Sequence, residues 1–218
     1  MRTLVLIDAF NLYYSVKGHS PRGHPRAYLW LDLMALSKRL ADRVGLVDAT
    51  PKVYYFTALP HHMAGVDPQK ISRHKLFIKA QETKGVIVSE QSFVKQKGNT
   101  YAKVKGREER SWTEKGTDVA LACRLFEEAM RDSFDQAIIV SNDSDYQPAI
   151  ETFHRLFPGK KLAVVTTPAR TGDKGNYLLR KVASACYLIQ AEDYSECQLA
   201  EVVLASGSRP IRRPDYWR

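Results

Sequence analysis

The chain has 218 residues, 44% of them hydrophobic, enough for one well-filled core, whereas two full domains would each be small. A formal charge of +9 and an isoelectric point near 9.4 favour an anionic partner, nucleic acid before an anionic membrane surface. No stretch approaches the ~20 apolar residues that span a bilayer, the apolar start is too short for a signal peptide, and three cysteines without ligand spacing fit reduced thiols; the expectation is a cytoplasmic protein with no membrane partner.

In chain order, Thr3 to Ile7 is an unbroken aliphatic run, as in a parallel strand buried on both faces, and it ends at the carboxylate of Asp8. Leu33, Leu36, Leu40 and Val44 recur at helical spacing, Lys52 to Thr57 reads as a second strand, and a polar helix from about Pro68 to Thr83 leads to a third strand, Gly85 to Ser89. Between Ser92 and Lys115 the aromatic and β-branched residues are interleaved with Lys95, Lys97, Lys103, Lys105, Arg107 and Arg110. With the Lys97-Gly-Asn-Thr100 turn, this suggests a basic β-hairpin inserted at about 92–113. Thr117 and Asp118 carry an N-cap signature for a helix to about Arg131. Strands at Gln136 to Ser141 and Lys161 to Thr166, a helix from Tyr146 to Leu156 between them, and a short strand at Ala185 to Ile189 complete the alternation. This is an α/β pattern, with a mostly parallel sheet of five or six strands between two helical layers over residues 1–190. Residues 191–218 read as a C-terminal helix and an Arg-rich tail.

In such a sheet a ligand site forms at the carboxyl ends of the strands, near the topological switch. Asp8 and Asp143 each follow a strand, and Asp118 opens a helix that must start from the same edge, so the three can converge. Converging carboxylates repel unless a cation lies between them, and an all-oxygen donor set suits Mg²⁺ or Mn²⁺. Each acid has a simpler reading as a helix cap or first-turn charge, and Asn11 and Ser141 can either cap or orient a carboxylate. Lys115, beside Gly116, is placed to contact a phosphate, and Tyr101 and Trp112 are available for base stacking.

The strings Leu6-Ile-Asp-Ala-Phe-Asn11, Glu114-Lys-Gly-Thr-Asp-Val-Ala-Leu-Ala122 and Ile139-Val-Ser-Asn-Asp-Ser-Asp-Tyr146 resemble, in order and spacing, the NYN family of PIN-like ribonucleases. The resemblance implies a Rossmann-like, PIN-like three-layer fold, a Mg²⁺ or Mn²⁺ requirement and endonucleolytic cleavage of RNA, single-stranded or structured. It implies Asp8, Asp118 and Asp143 as metal ligands, Asp145 as a further acid and Asn11 as a supporting polar group. The basic hairpin lies outside the matching strings; its Lys and Arg residues, with Lys115 and Ser141, are substrate-binding candidates. A homodimer is compatible with the fold. The rival readings are an RNA-binding regulatory module, a structure-specific DNA nuclease, and a haloacid-dehalogenase-type phosphotransferase. The last usually wants Asp-x-Asp and meets Phe10 instead.

Overall fold

The computed structural model describes residues 1–24, 26–46, 50–61, 65–95, 112–167, 176–204 and 209–217. The aliphatic run at the start forms β1 (Thr3–Asp8), buried along its whole length, and leads directly into α1 (Ala9–His19). There follow α2 (Leu33–Arg43), β2 (Lys52–Ala58), α3 (Gln69–Glu82), β3 (Ile87–Lys95), β4 (Trp112–Lys115), α4 (Thr117–Met130) and β5 (Gln136–Val140). A 3-10 turn at Ser144–Tyr146 runs into α5 (Gln147–Leu156), then β6 (Lys161–Thr166), α6 (Tyr177–Val182), β7 (Ala185–Leu188), α7 (Ala191–Ser195), β8 (Val202–Val203) and β9 (Ile211–Arg212).

Seven strands form one sheet in the order β4-β3-β2-β1-β5-β6-β7, and six of them are parallel, which is the expected α/β architecture. The seventh, β4, is the returning arm of the anticipated hairpin and pairs antiparallel with the end of β3, Ser92 opposite Lys115 and Lys95 opposite Trp112. The hairpin's turn and most of its basic residues lie outside the described residues.

Side-chain alternation divides the sheet's two faces between two cores. Val5, Ile7, Val53, Tyr55, Ile138 and Val140 face the layer of α1, α2 and α3; Leu4, Leu6, Tyr54, Phe56, Ala137 and Ile139 face Leu121 and Leu125 of α4 and Ile150 and Phe153 of α5. Each fully buried Leu of this kind contributes about 1.5–3 kcal/mol of transfer free energy. The Arg-rich C-terminal segment is docked onto the first of these cores. Val203 and Ile211 are buried in it, Trp217 packs 5.9 Å from Trp30 and 6.0 Å from Phe77, and the Arg213 guanidinium donates to the Ala27 carbonyl at 3.0 Å.

One local reading needs correction, and one helix goes unread. Thr117 does not cap α4: the cap position is Gly116, whose φ of +88° suits a residue without Cβ, while Thr117 is buried one position inside. The helix α1 had no clear signature, because it begins at the strand's last residue and its Phe10, Tyr13 and Tyr14 stand exposed on a face where polar residues are usual.

Candidate acidic active site

From β1 the chain fills one half of the sheet with β2, β3 and β4 and then crosses, by α4, to β5 on the other side. The strand order therefore switches between β1 and β5, and the crevice at their carboxyl ends is the position where α/β sheets hold ligands. Asp8 ends β1 and Asp143 follows β5 after Ser141 and Asn142. α4 packs over β1 and β2 with its amino terminus, and Asp118, at the same edge.

Asp8 is 2% exposed and fully engaged. One carboxylate oxygen accepts the amides of Phe10 and Asn11 at 3.0 and 3.1 Å, which caps α1. The other accepts Asn11 Nδ2 at 2.7 Å, Ser141 Oγ at 3.1 Å and, at the outer limit of 3.5 Å, Tyr146 Oη. Capping and convergence are thus properties of the same side chain. Asn11 caps nothing; it grips Asp8 through Nδ2 and accepts the Asn142 amide at 3.3 Å through Oδ1, tying the ends of β1 and β5 together. Ser141, fully buried, lies between the acids: its hydroxyl donates to Asp8 and accepts the Asp143 amide at 3.1 Å, a placement that orients carboxylates and leaves it no surface for a substrate.

Asp118 accepts the Tyr146 hydroxyl at 2.8 Å. Partial burial pushes its carboxyl above the ordinary Asp range, the Tyr146 hydrogen bond opposes that shift, and the carboxylates of Asp8, Asp143 and Asp145 reinforce it. Asp143 caps the 3-10 turn by accepting the Asp145 amide at 3.0 Å, and Asp145 itself is exposed. Tyr146, 1% exposed, had not been singled out in the sequence. Burial, then Asp8 and Asp118, hold its phenol protonated far above neutral pH, so it is a fixed donor between two acids. Its signal was its place, directly after Asp-Ser-Asp at a helix entrance. The Asn142 carbonyl accepts Asn176 Nδ2 at 3.0 Å, while its side-chain Oδ1 is buried with no hydrogen-bond partner among the described residues.

The donors fit a hard divalent cation in kind: all are oxygens, and four carboxylates lie close enough to couple electrostatically. Among the described residues, no three Asp, Glu, His or Cys side chains group at metal-holding distance. The hydrogen bonds give the reason, since Tyr146 stands between Asp8 and Asp118 and Asp143 is turned onto its own cap. Of the basic candidates, Lys115 is exposed at the end of β4, and Lys95 is described only as a position in β3. Lys97, Lys103, Lys105, Arg107 and Arg110 lie outside the described residues, as does Tyr101. Among the described residues no helix is long and apolar enough to cross a membrane.

The chain is 25% identical to the 6-hydroxy-3-succinoylpyridine 3-monooxygenase HspA of Pseudomonas putida, in an alignment of 243 positions covering all of this chain and 75% of that protein. It shares its fold with the crystal structure of a protein of unknown function from Vibrio parahaemolyticus, with a TM-score of 0.53, 17% identity, and coverage of 88% of this chain and 94% of that one. The family model for the NYN domain matches residues 2–190, including every element that carries the acids, and the chain therefore belongs to the NYN domain family of PIN-like nucleases.

Proposed function

We propose that this protein is a metal-dependent endoribonuclease that hydrolyses RNA phosphodiester bonds at the carboxyl edge of its sheet, using Asp8, Asp118 and Asp143 with Asp145 as a further acid. The reading rests on one observation: four acids from three separate segments gather at the topological switch, near enough that Asp118, raised first by partial burial, is raised further by the other three. Negative charge that no Lys or Arg among the described residues pairs with is a standing cost, which a divalent cation and a phosphate together would relieve.

Asp8, Asp118 and Asp143 would hold Mg²⁺ or Mn²⁺, which supplies charge against the developing phosphorane and lowers the pKa of an attacking water. The chain's own groups set the rest. Asn11 and Ser141 fix both rotation and hydrogen bonding of Asp8, so that this acid is already aligned. Tyr146 must give up its contact with Asp118, or share it, for the acids to close on a common centre. Lys115, exposed at the entrance to α4, would meet a substrate phosphate.

The relative's name raises an oxygenase as a second reading. The first β-α turn speaks against a dinucleotide there: the amides of Phe10 and Asn11, which would face a pyrophosphate, already bind the Asp8 carboxylate. The deciding experiment incubates the full chain with labelled single-stranded RNA and matched DNA in Mn²⁺, Mg²⁺ or EDTA, beside Asp143→Asn. Cleavage of RNA that chelator and substitution both abolish is the expected result. Equal inactivity of wild type and variant, with RNA still bound, would replace catalysis by a binding role.

A further inference from the structure

Among the described residues, the large aromatic side chains that the core leaves exposed lie close to one another, Tyr177 of α6 excepted. Phe10, Tyr13 and Tyr14 of α1 are 44%, 37% and 48% exposed, and Tyr216 near the C-terminus is 45% exposed. Their rings form a chain. Phe93, at the base of the basic hairpin, lies 6.5 Å from Phe10; Phe10 lies 4.9 Å from Tyr14, edge-on; Tyr14 lies 5.5 Å from Tyr13. Tyr13 is in turn near enough to Tyr216 and Arg26 to feel their charge. A soluble chain rarely exposes a contiguous apolar patch without a use for it. The core has no need of these rings, since α1 already buries Leu12 and Val16 on its other side.

Two further features point to the occupant. The strip is cationic: Lys17 lies 5.6 Å from the Tyr13 ring centre, and Arg26 stacks on Tyr216 at 3.7 Å with Arg73 close to the same ring at 4.0 Å. It also runs past the acids, because Phe10 is two residues beyond Asp8 and donates its amide to that carboxylate. Exposed rings with cations beside them are what unpaired bases and their phosphates require, the rings to stack on bases and the cations to meet phosphates. A base pair offers no free face to such rings.

We infer that the exposed face of α1, continued by Phe93, is a stacking platform for the bases of single-stranded RNA, leading the strand across the acidic edge, with Arg26 and Arg73, held on Tyr216, as its cationic end. This deepens the nuclease reading by naming its substrate class, and rests on that reading only for what happens to the bound strand.

The test uses the full chain in EDTA, where no metal-dependent cleavage intrudes, with fluorescent single-stranded RNA, the same strand annealed to its complement, and an abasic strand of equal length. The single strand is expected to bind most tightly and the abasic strand most weakly. Phe10→Ala and Tyr14→Ala should each lose roughly tenfold in single-strand affinity with an unchanged salt slope, while Phe10→Tyr and Tyr14→Phe retain binding. Circular dichroism establishes that the variants are folded. Wild-type affinity in both alanine variants, or equal binding of the abasic strand, would overturn the platform. So would a loss of self-association on sedimentation with RNA binding intact, which would assign the face to a second copy. Metal-dependent cleavage, measured separately with Asp143→Asn, reports on the nuclease reading. A chain that stacks RNA but never cuts it keeps the platform and loses the nuclease; one that cuts RNA equally well without the rings does the reverse.

Discussion

Acids stand at both ends of this sheet, and the two ends treat them in opposite ways. At the amino end Asp135 pairs with Arg2 at 2.7 Å, Asp132 bonds Lys160, and Glu128 receives Lys52 Nζ at 2.8 Å on both oxygens. The Arg2 hydrogen bonds pull Asp135 down to about 2. Burial works to raise Glu128, but bonds from Lys52, Ser133 and Tyr54 outweigh it and bring it to about 2 as well. At the carboxyl end, among the described residues, no Lys or Arg pairs with Asp8, Asp118, Asp143 or Asp145, and Asp118 moves up. The helix α4 carries both cases, Asp118 on its first turn and Glu128 on its last. Matched acids hold a fold together; unmatched ones are tolerated where they have something to bind.

The largest expected effect comes from breaking the unmatched end. Asp118→Asn should lower RNA cleavage by ~100-fold or more, the scale seen when a transition-state contact is removed, yet melt at the wild-type temperature or above in EDTA, because it deletes a repelled charge. A thermal melt beside a cleavage assay checks both; a large loss of stability would mean that Asp118 is a structural acid. At the matched end the pattern reverses. Glu128→Gln leaves Lys52 facing a neutral amide within a buried hydrogen-bond group and should cost about 2–3 kcal/mol by urea unfolding, with cleavage per folded molecule unchanged.

The matched end was harder to see in the sequence than the unmatched one. Asp8, Asp118 and Asp143 announced themselves because a strand end, a helix start and a strand end are positions that α/β topology brings to one edge, and hydrophobic patterning located all three. The parallel strands were legible for the same reason: β1, β5 and β6 are short aliphatic runs that only a doubly covered sheet explains. Glu128 and Lys52 are 76 positions apart, and nothing local marks either as the other's partner. Tyr146 was hidden because a tyrosine at a helix entrance reads as core, and its hydroxyl becomes informative only once Asp8 and Asp118 are both beside it. The exposed rings of α1 were hidden by the same habit of placing aromatic residues inside. The docking of Arg213 and Trp217 was obscured by the surrounding arginines, which make the segment look like a solvated tail.

The smallest effect separates the two ends by acidity. His74 reaches Thr57, near the carboxyl end of β2, with Nε2 3.0 Å from the hydroxyl oxygen; burial, and then Lys70, lower its pKa to about 4 from the ordinary 6.5. A ring that resists protonation when folded takes up its proton on unfolding, so stability is full above pH 6.5 and falls as the pH drops from 6.5 towards 4. Glu128 is depressed instead, so its contribution persists above its ordinary 4.5 and is lost between 4.5 and 2. Asp118, raised, works against both and gains stability as it protonates. Urea midpoints measured in EDTA should therefore decline in two steps as the pH falls. His74→Gln, which can still accept the Thr57 hydroxyl, should flatten the first step alone, and Glu128→Gln should shrink the second, which Asp135 shares, without touching the first. If His74→Gln left the upper step intact, the acid sensitivity near neutrality would have to come from another group, and His74 would be no more than a spacer beneath Thr57.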